Sequence, residues 1–177
     1  GVKIIRHWIK TIVGCTSDTA TSTVTINPLP TANFTSTGPF CVTKDVTFTN
    51  ASVPNAGNII NWNWDLGDGT VVNYNNGNPF THQYVITGTY IAKLIVTTDK
   101  GCVSPVKTVD VIVQPLPVPS FTSSIECLPY GVAVITNTST IANASAMSYQ
   151  WNFGDVASGA NNTSTLPNPS HYFSTVG

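Results

Sequence analysis

The first 34 residues, GVKIIRHWIKTIVGCTSDTATSTVTINPLPTANF, align without a gap with GTYIAKLIVTTDKGCVSPVKTVDVIVQPLPVPSF, which begins at Gly88. Gly1, Gly14, Cys15, Pro28, Leu29, Pro30 and Phe34 each match a residue 87 positions later. The correspondence continues from Trp64 to Trp151, Gly67 to Gly154 and Asp68 to Asp155. His82, six residues before Gly88, matches His171, six residues before Gly177. A period near 87 is too long for a solenoid repeat and suits one small β-sandwich per repeat. Gly1, Gly88 and Gly177 occupy one place in that repeat, so three pieces are expected. Residues 1–27 read as the last two strands of a preceding module, 31–114 as a complete module, and 118–177 as a module lacking its last two strands. The two partial pieces add up to about one unit. Two arrangements fit: subunits that complete one another end to end with donated strands, or a longer covalent array.

Composition explains what kind of repeat this is. Only 8% of residues are charged, against roughly 25% in an ordinary soluble domain. Thr, Ser, Asn and Val take their place, with 12 Pro and 13 Gly, the mixture of an all-β protein. Val46 and Phe48 alternate with Thr in DVTFTN. Tyr90, Ala92, Leu94 and Val96 alternate with their neighbours, as do Val109, Val111 and Val113, giving each strand one core face. Turn signals at Gly57, at Gly67 to Gly69, at Asn76-Gly77 and at Lys100-Gly101 divide the complete module into about seven short strands. Two sheets that each hide a face pack as an immunoglobulin-like sandwich. Pro28-Leu29-Pro30 and Pro115-Leu116-Pro117 are short, stiff linkers that would hold successive modules in line. Each module would then add about 30–40 Å, the rise of a ten-residue strand plus its turns.

The formal net charge of −1 gives no electrostatic footing for nucleic acid or anionic lipid as a partner. No apolar run approaches the roughly 20 residues that cross a bilayer as a helix, so membrane insertion is not expected.

The densest chemistry lies in NWNWDLGDGT, Asn61 to Thr70, which could be a metal loop, a carboxylate pair or a structural turn. Its core, WDLGDG at Trp64–Gly69, resembles the WDFGDG signature of PKD domains, the polycystic-kidney-disease type of immunoglobulin-like module. NPFTHQY followed by GTYIAKLIV resembles the N-P-x-H-x-Y and G-x-Y-x-V-x-L-x-V segments of that family. The last module repeats the pattern as YQWNFGD at Tyr149–Asp155 and NPSHYF at Asn168–Phe173, with Asn152 where Asp is expected and Val156 where Gly is expected. The resemblance spans essentially the whole chain. It implies tandem PKD-like sandwiches of the sort common in bacterial surface and secreted proteins, and the G-C pair with PLP linkers is similar to long multi-module chains of Bacteroidetes-type bacteria.

As an EF-hand loop the stretch fails, because Leu66 stands where Gly is required and Val72 where the twelfth-position acid belongs. As an acid–base pair, Asp65 and Asp68 have no His, Cys or Arg close in sequence, and Asn152 replaces the first acid in the second copy. The turn reading is stronger. Trp64 and Trp151 enter the core, Asp65, Asp68 and Asp155 accept backbone N–H bonds, and Gly67, Gly69 and Gly154 allow positive φ. A Ca²⁺ ion on Asp65 and Asp68 is the minor alternative; otherwise no metal or other cofactor is expected. His82 and His171 share a repeat position and are expected to pack or bond a turn. Lys3 and His7 fall where Tyr90 and Leu94 make a core face, which costs free energy unless they are paired or snorkel.

Four cysteines at repeating places in a low-charge β module read as one disulfide per module in an oxidising compartment. Cys41 is expected to pair with Cys102, leaving Cys15 and Cys127 to pair between copies or with absent sequence. No spacing supports zinc. Asp18-Thr19-Ala20 resembles an acidic–hydroxyl–small motif for O-glycans in Bacteroidetes-type bacteria, so Thr19 is a candidate acceptor, with a plain surface hydroxyl as the alternative. Nothing here assembles a catalytic set, and no enzyme activity is expected. The expected function is an extracellular or cell-surface structural repeat, building a rigid fibre, stalk or long adhesin whose partners are adjacent modules or other copies. The alternative is an accessory module of a secreted enzyme that binds carbohydrate or protein, with Trp8, Trp62 or Tyr74 as its aromatic platform.

Overall fold

A computed structural model describes residues 1–124 and 132–173. Cys127 and the repeated Gly177 lie outside the described residues. The chain divides into two compact units, Gly1–Val113 and Gln114–Gly177.

The first unit opens with a hairpin of β1 (Val2–His7) and β2 (Ala20–Thr25), paired antiparallel from Val2↔Thr25 to His7↔Ala20. Both strands are exposed along their whole length, Lys3 and His7 included. Seven further strands follow: β3 (Phe34–Thr37), β4 (Asp45–Asn50), β5 (Ile59–Asp65), β6 (Val71–Tyr74), β7 (Phe80–Gln83), β8 (Gly88–Thr98) and β9 (Lys107–Val113). They form two antiparallel sheets, β3-β4-β7 and β6-β5-β8-β9, an all-β, immunoglobulin-like sandwich.

Period-two patterning sets which residues meet between the sheets. Phe34 from β3, Val46 and Phe48 from β4, Trp62 and Trp64 from β5, Ala92, Leu94 and Val96 from β8, and Val111 and Val113 from β9 form one buried cluster. Its aromatic centre packs edge-on: the Trp64 ring lies 4.9 Å from Phe34, 5.9 Å from Phe48 and 5.1 Å from Phe80. Such geometries add to the area burial of each ring.

The polypeptide enters this sandwich at one end and leaves at the other. Thr31 bridges Val53 at the end marked by the β8–β9 turn, while Val113 pairs with Gly88 at the opposite end. Where the chain enters, Pro30 is fully buried, and Asn55 Nδ2 donates to Leu29 O at 2.8 Å and to Thr31 Oγ1 at 3.0 Å. The last proline of the first linker is thus seated on the module that follows it.

Among its described residues the second unit repeats the plan with fewer strands. β10 (Phe121–Ser123), β11 (Val132–Asn137) and, later, β14 (Ser170–Tyr172) make one sheet in the order β10-β11-β14. β12 (Trp151–Asn152) pairs with β13 (Thr163–Ser164), separated by a 3₁₀ segment at Val156–Asn162 that has no counterpart in the first unit.

Candidate functional site

The stretch from Trp64 to Thr70 closes the end of the sandwich where the chain leaves. Trp64 sends its indole into the core at 2% exposure. Asp65 Oδ1 accepts from Gly67 N at 3.0 Å, and Asp68 Oδ1 accepts from Thr70 N at 2.9 Å, two successive Asx turns. Gly67 (φ 83°) and Gly69 (φ 94°) lie in the left-handed region. At Gly67 space matters as well as conformation, because a Cβ would stand 2.8 Å from Ile91 N. Leu66 O accepts from the buried Tyr84 hydroxyl at 2.9 Å, tying the turn to the segment after β7. Burial pushes the Tyr84 phenol pKa up.

The second oxygens of both acids are engaged too. Asp65 Oδ2 accepts from Lys93 Nζ at 2.9 Å, across the β5–β8 ladder. Asp68 Oδ2 lies 2.6 Å from His82 Nε2 on the edge of the other sheet. The imidazole absent from Asp68's sequence neighbourhood is therefore delivered by β7, fourteen residues on. The bond from Lys93, with that from Gly67 N–H, holds the Asp65 carboxyl below its ordinary value of 3.8. For Asp68 burial works upward, but bonds from Thr70 N–H and His82 outweigh it and its pKa is lowered as well.

The same device stands in the second unit. Asp155 Oδ2 lies 3.1 Å from His171 Nε2, both side chains almost fully buried, and the imidazole stacks 4.4 Å from the Phe153 ring. Asn152 Oδ1 accepts from Gly154 N at 2.9 Å, the role Asp65 plays towards Gly67. A neutral acceptor serves this turn equally well, so the Asp-to-Asn change preserves its geometry. Trp151 is only half-buried, its Nε1 donating to Leu166 O at 2.8 Å.

Among the described residues no cluster of three or more His, Cys, Asp or Glu could hold a metal ion. Asp65 and Asp68 direct their oxygens to backbone N–H groups, an ammonium and an imidazole, and not to a common point.

The cysteines require a correction. Cys15, Cys41 and Cys102 are free thiols, and Cys41 Sγ lies 3.2 Å from Pro39 O. Cys41 sits in the β3–β4 turn, beside Thr43, whose N–H donates to Tyr84 O at the end where the chain leaves. Cys102 sits in the β8–β9 turn at the other end, its carbonyl accepting from Thr98 N. The intervening length of β8, ten steps from Gly88 to Thr98, spans about 33 Å, against a Cα separation of at most about 7 Å for a disulfide. The expected Cys41–Cys102 bridge within one module is therefore not formed. Cys15 is exposed in the β1–β2 turn, and its expected partnership with Cys127 falls outside the described residues.

The aromatic platform is not assembled either. Trp62 is buried, with no hydrogen-bond partner for its Nε1, and Tyr74 packs 5.1 Å from Phe80. Trp8 is 61% exposed, just beyond β1. Thr19 is exposed in the loop leading into β2.

The family model described as PKD domain matches residues 27–113. Among solved structures, the PKD1 domain of Vibrio anguillarum Epp is 28% identical with a TM-score of 0.42, covering 50% of this chain and 99% of that one. The PKD1 domain of the Vibrio cholerae metalloprotease PrtV is 29% identical with a TM-score of 0.41, covering 49% of this chain and all of that one. A structure of carbohydrate-binding modules from the β-sandwich superfamily is 24% identical with a TM-score of 0.48, covering 63% of this chain and 56% of that one.

Proposed function

Residues 27–113 belong to the PKD domain family, and from that premise we propose that the protein is a non-enzymatic structural repeat acting outside the cell. Its modules, set end to end, build a rigid fibre, stalk or long surface adhesin. One observation carries this reading: the complete module takes the chain in at one end and releases it at the other, with the preceding linker proline buried on its surface. A module of that polarity adds length with each copy. Restraint of Leu29, Pro30 and Thr31 by Asn55 removes the play a flexible tether would give. The acids and imidazoles that could have served chemistry are spent on holding two turns closed. Thr19 is a site for an O-glycan on the exposed hairpin.

An accessory binding module is the second reading. It is disfavoured by the burial of Trp62 and the packing of Tyr74, which leave Trp8 without neighbours for a flat aromatic surface.

Electron microscopy of native material, labelled with antibodies to residues 31–113 and combined with the denatured, reduced mass, tests the proposal. Labelled threads with a bead spacing of about 30–40 Å, the length of one such strand and its turns, are the expected result. Label confined to a compact enzyme body bearing one or two such modules would overturn it.

A further inference from the structure

In the second unit residues 153–162 separate the paired Asn152 and Thr163, where only 66–70 separate the matching pair Asp65 and Val71. The extra length forms the 3₁₀ segment Val156–Asn162. Bonds at both of its ends pin it to the turn below. Ser158 N and Oγ donate to Asp155 O at 3.0 and 2.7 Å, and Asn162 Oδ1 accepts from Asp155 N at 2.7 Å. Phe153 N donates to Asn162 O at 2.9 Å. Asp155 is itself held against His171, so the segment has a fixed base.

A cleft of about 560 Å³ opens between this segment and β14, bordered by Phe153, Ser158, Asn161, Thr163, Ser164 and Tyr172 among others. β13 and β14 correspond to β6 and β7 of the complete module, in which β8 and β9 lie across β5 from β6. The cleft therefore belongs to the β13–β14 side of the unit. Its chemistry differs from that of the same places in the complete module. Thr163 and Ser164 stand where Val71 and Val72 pair with β5. Tyr172 opposite Val132 replaces Gln83 opposite Asp45, a pair joined there by Gln83 Nε2 donating to Asp45 Oδ1 at 2.8 Å. Among the described residues that border the cleft, none is Asp, Glu, Lys or Arg. An anion would meet no fixed cation there, and a metal ion no carboxylate.

We infer that this cleft is a binding site for a short neutral saccharide. The Tyr172 ring, 49% exposed, offers a flat apolar surface to the C–H face of a sugar. Hydroxyls and an amide surround it, the few well-placed polar groups that orient a small ligand. Ser164 Oγ already accepts from Leu166 N at 3.2 Å, which leaves its proton to donate. Ser158 Oγ donates to Asp155 O, which leaves its lone pairs to accept. Asn161, exposed on the segment, supplies both roles in one side chain. Because the walls are already bonded in place, little ordering is needed when the ligand enters. The inference deepens the adhesin reading, on which it rests for its biological setting, by naming the class of ligand such a molecule would hold.

NMR titration of the isotopically labelled 177-residue chain with lactose, cellobiose and chitobiose is the test, with sialyllactose as the charged counterpart. At least one neutral sugar is expected to shift the amide signals of residues 158–164 and 170–172, with a millimolar dissociation constant, while those of 31–113 stay in place. Asn161→Ala and Tyr172→Ala should each weaken binding about tenfold, the scale of one hydrogen bond or one ring contact. Tyr172→Phe keeps the ring and should keep the affinity. Asn161 is exposed, so Asn161→Ala should leave thermal unfolding unchanged, which separates lost binding from lost fold. No shift from any neutral sugar even at high millimolar concentration, or shifts centred elsewhere, would overturn the inference. Affinity unchanged in both alanine variants would do the same, and tighter binding of sialyllactose than of lactose would reject the neutral class. Such failures leave beaded native threads unaffected, whereas sugar binding without threads would reject the array and keep the cleft.

Discussion

At Gly67 the backbone holds a positive φ and a Cβ would run into the Ile91 amide, whereas at Gly69 the conformation is similar but the space is open. Gly67→Ala should cost about 2–3 kcal/mol, strain and collision together, and Gly69→Ala about 1 kcal/mol from conformation alone. Urea unfolding followed by tryptophan fluorescence checks the order of the two. The acids beside these glycines give a pH signature. Asp65 and Asp68 both have folded pKa values below the ordinary 3.8. A depressed carboxylate contributes stability that is complete above its unfolded value and is lost as pH falls through the folded one. The thermal midpoint should therefore drop most steeply below about pH 4, and Asp68→Asn should flatten that drop. A midpoint as pH-sensitive in the variant as in the parent chain would show that Asp68 does not carry the effect. Asp65, on the surface beside Lys93, contributes less because solvent screens its pair.

Elements differ in how much of them is written locally. Alternation alone marks β4, β8 and β9, because a strand with one face in the core must repeat every second residue. The 87-residue offset likewise anticipates that two hairpins share one register. Contacts between sheets are another matter. Asp68 follows β5 in one sheet and His82 lies on β7 in the other, so no periodicity joins them. The only hint is that Asp155 and His171 recur together. The cysteines misled because equal placement in the repeat says nothing about which end of the sandwich a turn occupies. Counting reversals resolves it: the turn after the first of seven antiparallel strands and the turn after the sixth must lie at opposite ends. Cys41→Ser and Cys102→Ser should accordingly each shift the thermal midpoint by less than about 2 °C, as solvent-side changes away from core or network do. Peptide mapping without reductant should show no Cys41–Cys102 link, and finding one would refute the placement.

For the molecule as a whole, the seating of Pro30 is the feature that turns a sandwich into a unit of length. Asn55→Ala removes the side-chain donor that holds Leu29 O and Thr31 Oγ1, at a cost of about 1–2 kcal/mol. Most of that loss falls on the linker, so cleavage by a protease near residues 27–31 should accelerate severalfold while the unfolding of the sandwich changes little. Unchanged cleavage would mean that the linker is held by the burial of Pro30 alone. The opposed positions of Thr31 and Val113 have one more consequence, which concerns load. Tension applied at those two points runs parallel to the strands, so it shears the β3–β4 and β8–β9 ladders instead of peeling them bond by bond. In a sheared ladder the backbone bonds, lying across the pull, must give way together. The sandwich should therefore yield at a far higher force than the marginal equilibrium stability general to folded domains would indicate.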